Sequence, residues 1–283
     1  MMPVEDPVPR SSQEARLIIT GTTSIIGIVG TPIVQVHSPS LMNAHFEARR
    51  SDVAIVPIDL RREAVEPFVA TIRAWQNLCG MVVTVPYKQL LAPLCDDLTP
   101  RAKRLGTVNV IRRDPDGSLH GEILDGAGFV TAAVANGFEA RGCRAAIIGA
   151  GGVASAIADA VCEAGIGSLV LTDLDPVKAH TLRDRLQQAF PSVVLKVGIN
   201  TLTGVDLLVN ATAVGMNGDP SLPLPAPLLH EVSPACFVAD VVTAPVMTPL
   251  LTLAQARGCR VQTGPEMTEA QMLALLAWLH VPG

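Results

Sequence analysis

Arg144-Ala145-Ala146-Ile147-Ile148-Gly149-Ala150-Gly151-Gly152-Val153-Ala154 is the stretch that decides the fold. An apolar run of strand length meets three glycines and passes directly into an Ala-rich segment, 152–164, of helical composition. The glycines fit GxGxxG/A, with Ala154 in the last place. Such residues let the backbone approach a pyrophosphate, which rests on the positive end of the following helix. Glycines alone would serve an ordinary tight turn equally well. The strand–loop–helix setting is what makes this a dinucleotide site, with Gly149, Ala150, Gly151, Gly152 and Val153 as candidate contacts.

The next strand, 168–172, runs into Asp173-Leu174-Asp175. A carboxylate at Asp173 accepts hydrogen bonds from the adenosine ribose and repels a 2′-phosphate, and Leu174 stands where an NADP site more often carries arginine. NAD is therefore expected over NADP, which is not excluded. Asp175 also reads as a helix N-cap, with Pro176 as the first helical residue. Lys178 reads as part of that helix's solvated face, with a phosphate contact as the alternative.

Working outward, strands are predicted at 145–148, 193–197, 206–210 and 237–241, with a proline-rich loop at 219–227. Upstream, strands at 25–29, 53–58, 81–85 and 108–112 alternate with helical patterns at 40–49 and 61–77. Asp114-Pro115-Asp116-Gly117 turns the chain into a strand at 119–123, and a helix at 126–136 follows Asp125. A last helix, 266–280, follows a break at Gly264-Pro265. The alternation predicts an α/β fold with mainly parallel sheets, divided into two domains with the junction at 125–142.

Bulk composition narrows the function classes. The 283 residues are 49% hydrophobic and 17% charged, which supplies ample core and no sign of disorder. Only 3% are aromatic and the net charge is −5, so neither stacking platforms nor a basic field favours nucleic acid. Six cysteines form no CxxC, which fits a reducing cytoplasm, and six histidines show no HExxH or zinc spacing. No metal site is expected. The Pro-rich, acidic start before Arg10 has no signal-peptide apolar region, and the apolar stretch 272–279 is too short to span a bilayer. A cytoplasmic monomer or homodimer without membrane contact is expected.

Upstream of the glycine loop, Val83-Thr84-Val85-Pro86-Tyr87-Lys88 ends an apolar run on a lysine, and Asn109 and Asp125 follow. A lysine and an aspartate at the mouth of a nicotinamide site can move a proton while the cofactor takes a hydride. That points to an alcohol/ketone dehydrogenase working without metal. A plain surface ion pair is the competing reading.

Taken together, these residues resemble the shikimate dehydrogenases and their quinate/shikimate relatives. The resemblance rests on Gly30-Thr31-Pro32-Ile33 with His37-Ser38-Pro39, Thr84-Val85-Pro86-Tyr87-Lys88, Val108-Asn109, Asp125-Gly126, the glycine loop, Asn210-Ala211-Thr212, Asp240-Val241-Val242 and Gln271. It implies a substrate domain of residues 1–124 with 265–283 and a Rossmann-type cofactor domain of 125–264. It implies Lys88 and Asp125 as the catalytic pair, with Lys88 as general acid/base. Ser38, Thr84, Asn109 and Gln271 become candidate substrate contacts, and Asn210, Thr212, Val241, Gly264 and Met267 join the loop and Asp173 around the cofactor. Each polar candidate also has a local reading: Ser38 as a cap before Pro39, Asn109 as a turn residue, Gln271 as a solvated helix position.

The chain also departs from that family. Val36 replaces the first serine of an SxS pair, Val82 replaces an asparagine, Thr243 replaces a tyrosine, and Ile123-Leu124 replace Asn-Thr before the aspartate. Each apolar replacement leaves a buried substrate group without a partner, at about 1–3 kcal/mol. The substrate is therefore expected to be shikimate or a related, less polar cyclic hydroxy-acid. The alternative from another class is a non-catalytic paralogue that binds nucleotide and ligand as a sensor. Short-chain dehydrogenases need YxxxK, and the single tyrosine, Tyr87, abuts Lys88. A zinc alcohol dehydrogenase lacks its ligands, and the Asn109, Asp125 and Gln271 set fits a tetrahydrofolate dehydrogenase less well.

Overall fold

The structure is a computed structural model that describes residues 18–34 and 36–281; the segment before Arg10 lies outside the described residues. In chain order it forms β1 (Ser24–Gly30), α1 (Ser38–Arg49), β2 (Val53–Asp59), α2 (Val65–Ala74), β3 (Leu78–Val83), α3 (Lys88–Leu91), β4 (Asp97–Leu98), α4 (Pro100–Leu105), β5 (Val110–Arg113), β6 (Leu119–Glu122) and α5 (Asp125–Ala135). The second half adds β7 (Arg144–Ile148), α6 (Gly152–Glu163), β8 (Ser168–Thr172), α7 (Pro176–Ala189), β9 (Val194–Val197), β10 (Leu207–Asn210), α8 (Ala226–Leu229), β11 (Phe237–Asp240), α9 (Pro249–Ala256), β12 (Arg260–Gln262) and α10 (Gly264–Trp278).

The second half is one parallel sheet in the order β12-β11-β10-β7-β8-β9. Two βαβ series run outward from β7 in opposite directions, so the loops after β7 and β10 diverge and leave a crevice at their carboxyl ends. The glycine loop follows β7 and Ala211-Thr212 follows β10, which puts both at that crevice.

The first half is a mixed sheet, β2-β1-β3-β5-β6-β4, in which β5 runs antiparallel to both β3 and β6. The expected parallel character holds only for β2-β1-β3 and β4-β6. The Asp114–Gly117 turn accounts for the β5–β6 pair, which it joins as a hairpin with Gly117 at φ 87°. Helix α10 packs Met272, Leu275, Leu276 and Leu279 onto this first sheet, against Ile26, Ile28, Val82 and Val110.

Several boundaries differ from expectation. The helix predicted at 61–77 splits into a 3₁₀ turn, Arg62–Ala64, and α2. Pro67 sits within the first turn of α2, where a missing N–H costs nothing. Gly264-Pro265 is not a break: it opens α10, capped by the Thr263 hydroxyl on the Glu266 amide in a reciprocal capping box. Helices α4 and α9 begin at Thr99-Pro100 and Thr248-Pro249, each with its threonine as side-chain N-cap.

Candidate active site

Asp125 is the first residue of α5 and is 5% exposed. Its Oδ2 accepts from Lys88 Nζ at 2.6 Å, while Oδ1 accepts from Asn109 Nδ2 at 3.1 Å and Gln271 Nε2 at 2.9 Å. The four groups come from α3, the residue before β5, α5 and α10, with Asp125 and Gln271 separated by 146 positions in sequence. Asn109 is anchored in turn: its Oδ1 accepts from the Leu124 amide at 2.7 Å, and its backbone bridges Val83 and Glu122. This fixes which amide atom faces Asp125. Lys88 and Asp125 are only 12% and 8% exposed at their side chains, so the competing surface-pair reading fails.

Thr84 lies just past the end of β3, its amide on Val29 O, with its methyl filling the space that the missing side chain of Gly30 leaves. Ser38 opens α1 behind His37. Tyr87 is fully buried and donates its hydroxyl to Leu60 O, which makes it a packing anchor for the lysine turn.

A cleft of about 740 Å³ lies beside this cluster. Its walls include Lys88, Ala150, Gly151, Gly152, Val153, Thr212, Val241 and Thr243. A side chain on Gly152 would come 3.6 Å from Lys88 Cδ, which measures how near the glycine loop stands to the lysine. Gly149 has φ 109° and would clash with Ala211 O at 2.8 Å if it carried a Cβ, while nothing lies within 4 Å of such an atom on Gly151. The backbone at Gly151 is thus open to a diphosphate at the N-terminus of the twelve-residue α6, and the loop fits a dinucleotide.

The remaining expected cofactor residues stand one layer back. Asp173 accepts from the Ala150 amide at 2.7 Å and the Asp175 amide at 2.8 Å, so it braces the glycine loop as well as ending β8. Asn210 is fully buried: its amide donates to both oxygens of Asp240 and to Val214 O, and its Oδ1 takes the Thr212 hydroxyl at 2.7 Å. It therefore shapes the Thr212 turn from behind. Gly264 sits where a Cβ would meet Val242 O at 2.3 Å, and Met267 is 7% exposed in the core.

Sequence reasoning missed part of the cleft. Thr181 and Arg185 line it beside Lys178, all three on α7, as do Ser155 and Met216; of these only Lys178 is weighed as a cofactor contact from sequence. Their i, i+3, i+7 spacing on one helix face was the available signal. Lys178 is exposed, as its solvated-face reading requires, and also faces the cleft. Among the described residues, no group of three or more His, Cys, Asp or Glu side chains has metal-holding geometry, and no helix is long and apolar enough to cross a membrane.

Comparison with known proteins covers most of the chain. A family model for the shikimate dehydrogenase substrate binding domain matches residues 28–111. Shikimate dehydrogenase (NADP(+)) of Rubrobacter xylanophilus is 36% identical over 271 residues, 93% of each chain. Shikimate 5-dehydrogenase from Listeria monocytogenes, solved in complex with shikimate and NAD, superposes with a TM-score of 0.85 at 28% identity over 93% of each chain. Quinate dehydrogenase from Corynebacterium glutamicum, solved with NAD, superposes with a TM-score of 0.82 at 27% identity, covering 91% of this chain and 93% of that one.

Proposed function

Because the chain belongs to the shikimate dehydrogenase family and is a nicotinamide-dependent oxidoreductase of that type, we propose that it interconverts a ring carbinol of a shikimate-like cyclic alcohol and the corresponding ketone. The observation that carries this reading is the buried Lys88–Asp125 pair, 2.6 Å apart, standing beside the glycine loop. A nicotinamide bound in the cleft supplies or accepts the hydride.

The chain's own residues manage the proton. In oxidation, Lys88 Nζ takes the carbinol proton; in reduction it returns one to the carbonyl oxygen. Asp125 holds Lys88 in place and keeps the charge of the pair balanced. Asn109 and Gln271, both donors to Asp125 Oδ1, face the ring alcohol next to the reacting one, with Thr84 and Ser38 completing the substrate contacts. Ala150, Gly151, Gly152, Val153, Thr212 and Val241 hold the dinucleotide, with Gly149, Asn210, Gly264 and Met267 setting the loops that carry them.

The apolar seating of α10 on the first sheet supports a division into a substrate domain, 1–124 with 265–283, and a cofactor domain, 125–264. NAD is favoured over NADP by the acids Asp173 and Asp175 on either side of a fully exposed Leu174, although relatives such as the Rubrobacter enzyme are named for NADP(+). The six free cysteines suit a reducing compartment. A sensor without chemistry has little use for a buried, aligned lysine–aspartate pair, and the curated relatives are dehydrogenases.

The test is direct: purified protein is mixed with NAD or NADP and shikimate, quinate, their methyl esters or simpler hydroxycyclohexane carboxylates, and reduced-cofactor absorbance is followed. Turnover of at least one member is expected; silence across the whole panel would sink the reading.

A further inference from the structure

The polar site residues are few, and their neighbours in chain and sheet are apolar. Leu124 precedes Asp125, Met272 follows Gln271, and Val82 pairs with Val110 next to Asn109. Val82 precedes Thr84 by two residues, near the end of β3. Leu124, Met272 and Val82 fall in one apolar cluster with Ile33 and Val36.

Charge is equally sparse. Of the cations lining the cleft, Lys178 and Arg185 stand on α7, on the far side of the glycine loop, and Arg185 already donates to Leu105 O at 3.0 Å. The remaining one, Lys88, is matched by Asp125. At the start of α1, His37 is exposed and Pro39 removes an amide donor, which leaves the Ser38 hydroxyl. A carboxylate held against these residues would be desolvated with, among the described residues, no free cation in the cleft lining and few donors, an arrangement proteins avoid.

We propose that this site selects a substrate without a carboxylate: a neutral cyclic vicinal diol, or its hydroxy-ketone, whose two oxygens face Lys88, Asn109 and Gln271 and whose remaining ring edge lies on Val36, Val82 and Leu124. The inference rests on the oxidoreductase reading above and concerns only what that site accepts.

A matched pair separates the two. Shikimate and its methyl ester share every ring hydroxyl and differ in the charge, and 1,2-cyclohexanediol removes the carboxyl carbon altogether. With saturating cofactor, kcat/KM for the ester is expected to exceed that for the acid by at least about tenfold, a difference of about 1.4 kcal/mol at the site. Activity on 1,2-cyclohexanediol should be measurable. Val36→Ser, which sets a second hydroxyl beside Ser38, is expected to raise kcat/KM for the acid and leave the ester no better. Equal rates, or preference for the acid in the wild type, would overturn the neutral-substrate proposal while leaving the dehydrogenase intact. Failure of acid, ester and diol alike would remove both.

Discussion

Lys88 Nζ and Asp125 Oδ2 stand 2.6 Å apart in a setting where the second carboxylate oxygen is taken by two neutral amides. The arrangement assigns different tasks to the two ends of one carboxylate. Oδ2 orients the ammonium, and Oδ1 orients the donors of Asn109 and Gln271 toward the same point. Lys88→Ala should therefore lower kcat by about 10²–10⁴-fold, the range for loss of a positioned proton donor, while the dissociation constant for cofactor changes by no more than a few fold. Steady-state rates together with fluorescence titration of the reduced cofactor check this. Gln271→Ala removes one neutral hydrogen bond, and about tenfold in kcat/KM is the corresponding expectation. A Lys88→Ala enzyme of undiminished kcat would show that the proton travels elsewhere.

On the proposed reading, the end of β8 is where NAD is told from NADP. Asp173 cannot turn freely, because the Ala150 and Asp175 amides hold both its oxygens. Its charge is therefore fixed against the glycine loop, where the proposed reading puts the adenosine ribose, whereas Leu174 is fully solvent-exposed and holds nothing in place. Leu174→Arg adds a guanidinium that suits a 2′-phosphate without disturbing the loop. The kcat/KM ratio of NADP to NAD should rise by about tenfold or more in this variant. An unchanged ratio would mean that the 2′ position is read by α7, through Lys178 or Arg185.

The parts of this molecule that were legible from sequence are those whose signals are local. The glycine loop sits between an apolar strand and a small-residue helix, and Asp175-Pro176 starts α7 with the aspartate capping the Val177 amide. Thr99-Pro100 and Thr248-Pro249 carry the same cap-plus-proline signature, but α4 and α9 were not read from it because both are short. Chain order gave no hint that β5 would insert antiparallel beside β3, since pairing partners are set by packing across the sheet. Lys88, Asn109 and Asp125 stood out in chain order, and Gln271 was reached through motif resemblance; the geometry of the four depends on α10 returning to the first sheet, a contact that no local pattern reveals. Val36, Val82 and Leu124 stood out singly, and their gathering into one apolar cluster is a property of the folded chain.

A buried ion pair ties α4 to the cofactor helix. Asp159 on α6 is fully buried; Arg104 grips it with two hydrogen bonds, of 2.6 and 2.9 Å, and Arg101 approaches to 3.6 Å. Arg104 also lies 5.3 Å over the Phe190 ring. Arg104→Ala leaves a desolvated carboxylate with one imperfect partner, so a loss of about 3 kcal/mol in unfolding free energy is expected from urea titration. Arg104→Ala combined with Asp159→Asn should recover part of that loss, because the orphaned charge is gone. If the double variant is no more stable than the single one, burial of the Asp159 charge is not what Arg104 offsets.

Asp240 gives the pH prediction. It ends β11 at 2% exposure, accepts from the Val242 amide at 3.0 Å and from the Thr248 hydroxyl at 2.7 Å, and so sets both the cleft loop at Val241–Thr243 and the start of α9. Burial pushes its pKa above the ordinary 3.8, and the hydrogen bonds from Val242, Asn210 and Thr248 only partly pull it back. The folded state thus holds this proton more tightly than the unfolded chain does. Its contribution to stability is complete below the unfolded pKa and is lost as pH rises through the folded one. Asp240→Asn does not titrate, and its amide faces donors, which gives it a fixed penalty independent of pH. The stability difference, variant minus wild type, should therefore move in the variant's favour from about pH 4 upward and level off once wild-type Asp240 is ionised. Urea unfolding of both proteins across that range measures it, with other titrating groups cancelling in the difference. A difference that runs the opposite way with pH would mean that the three donors outweigh burial and that Asp240 is held as a stabilised carboxylate.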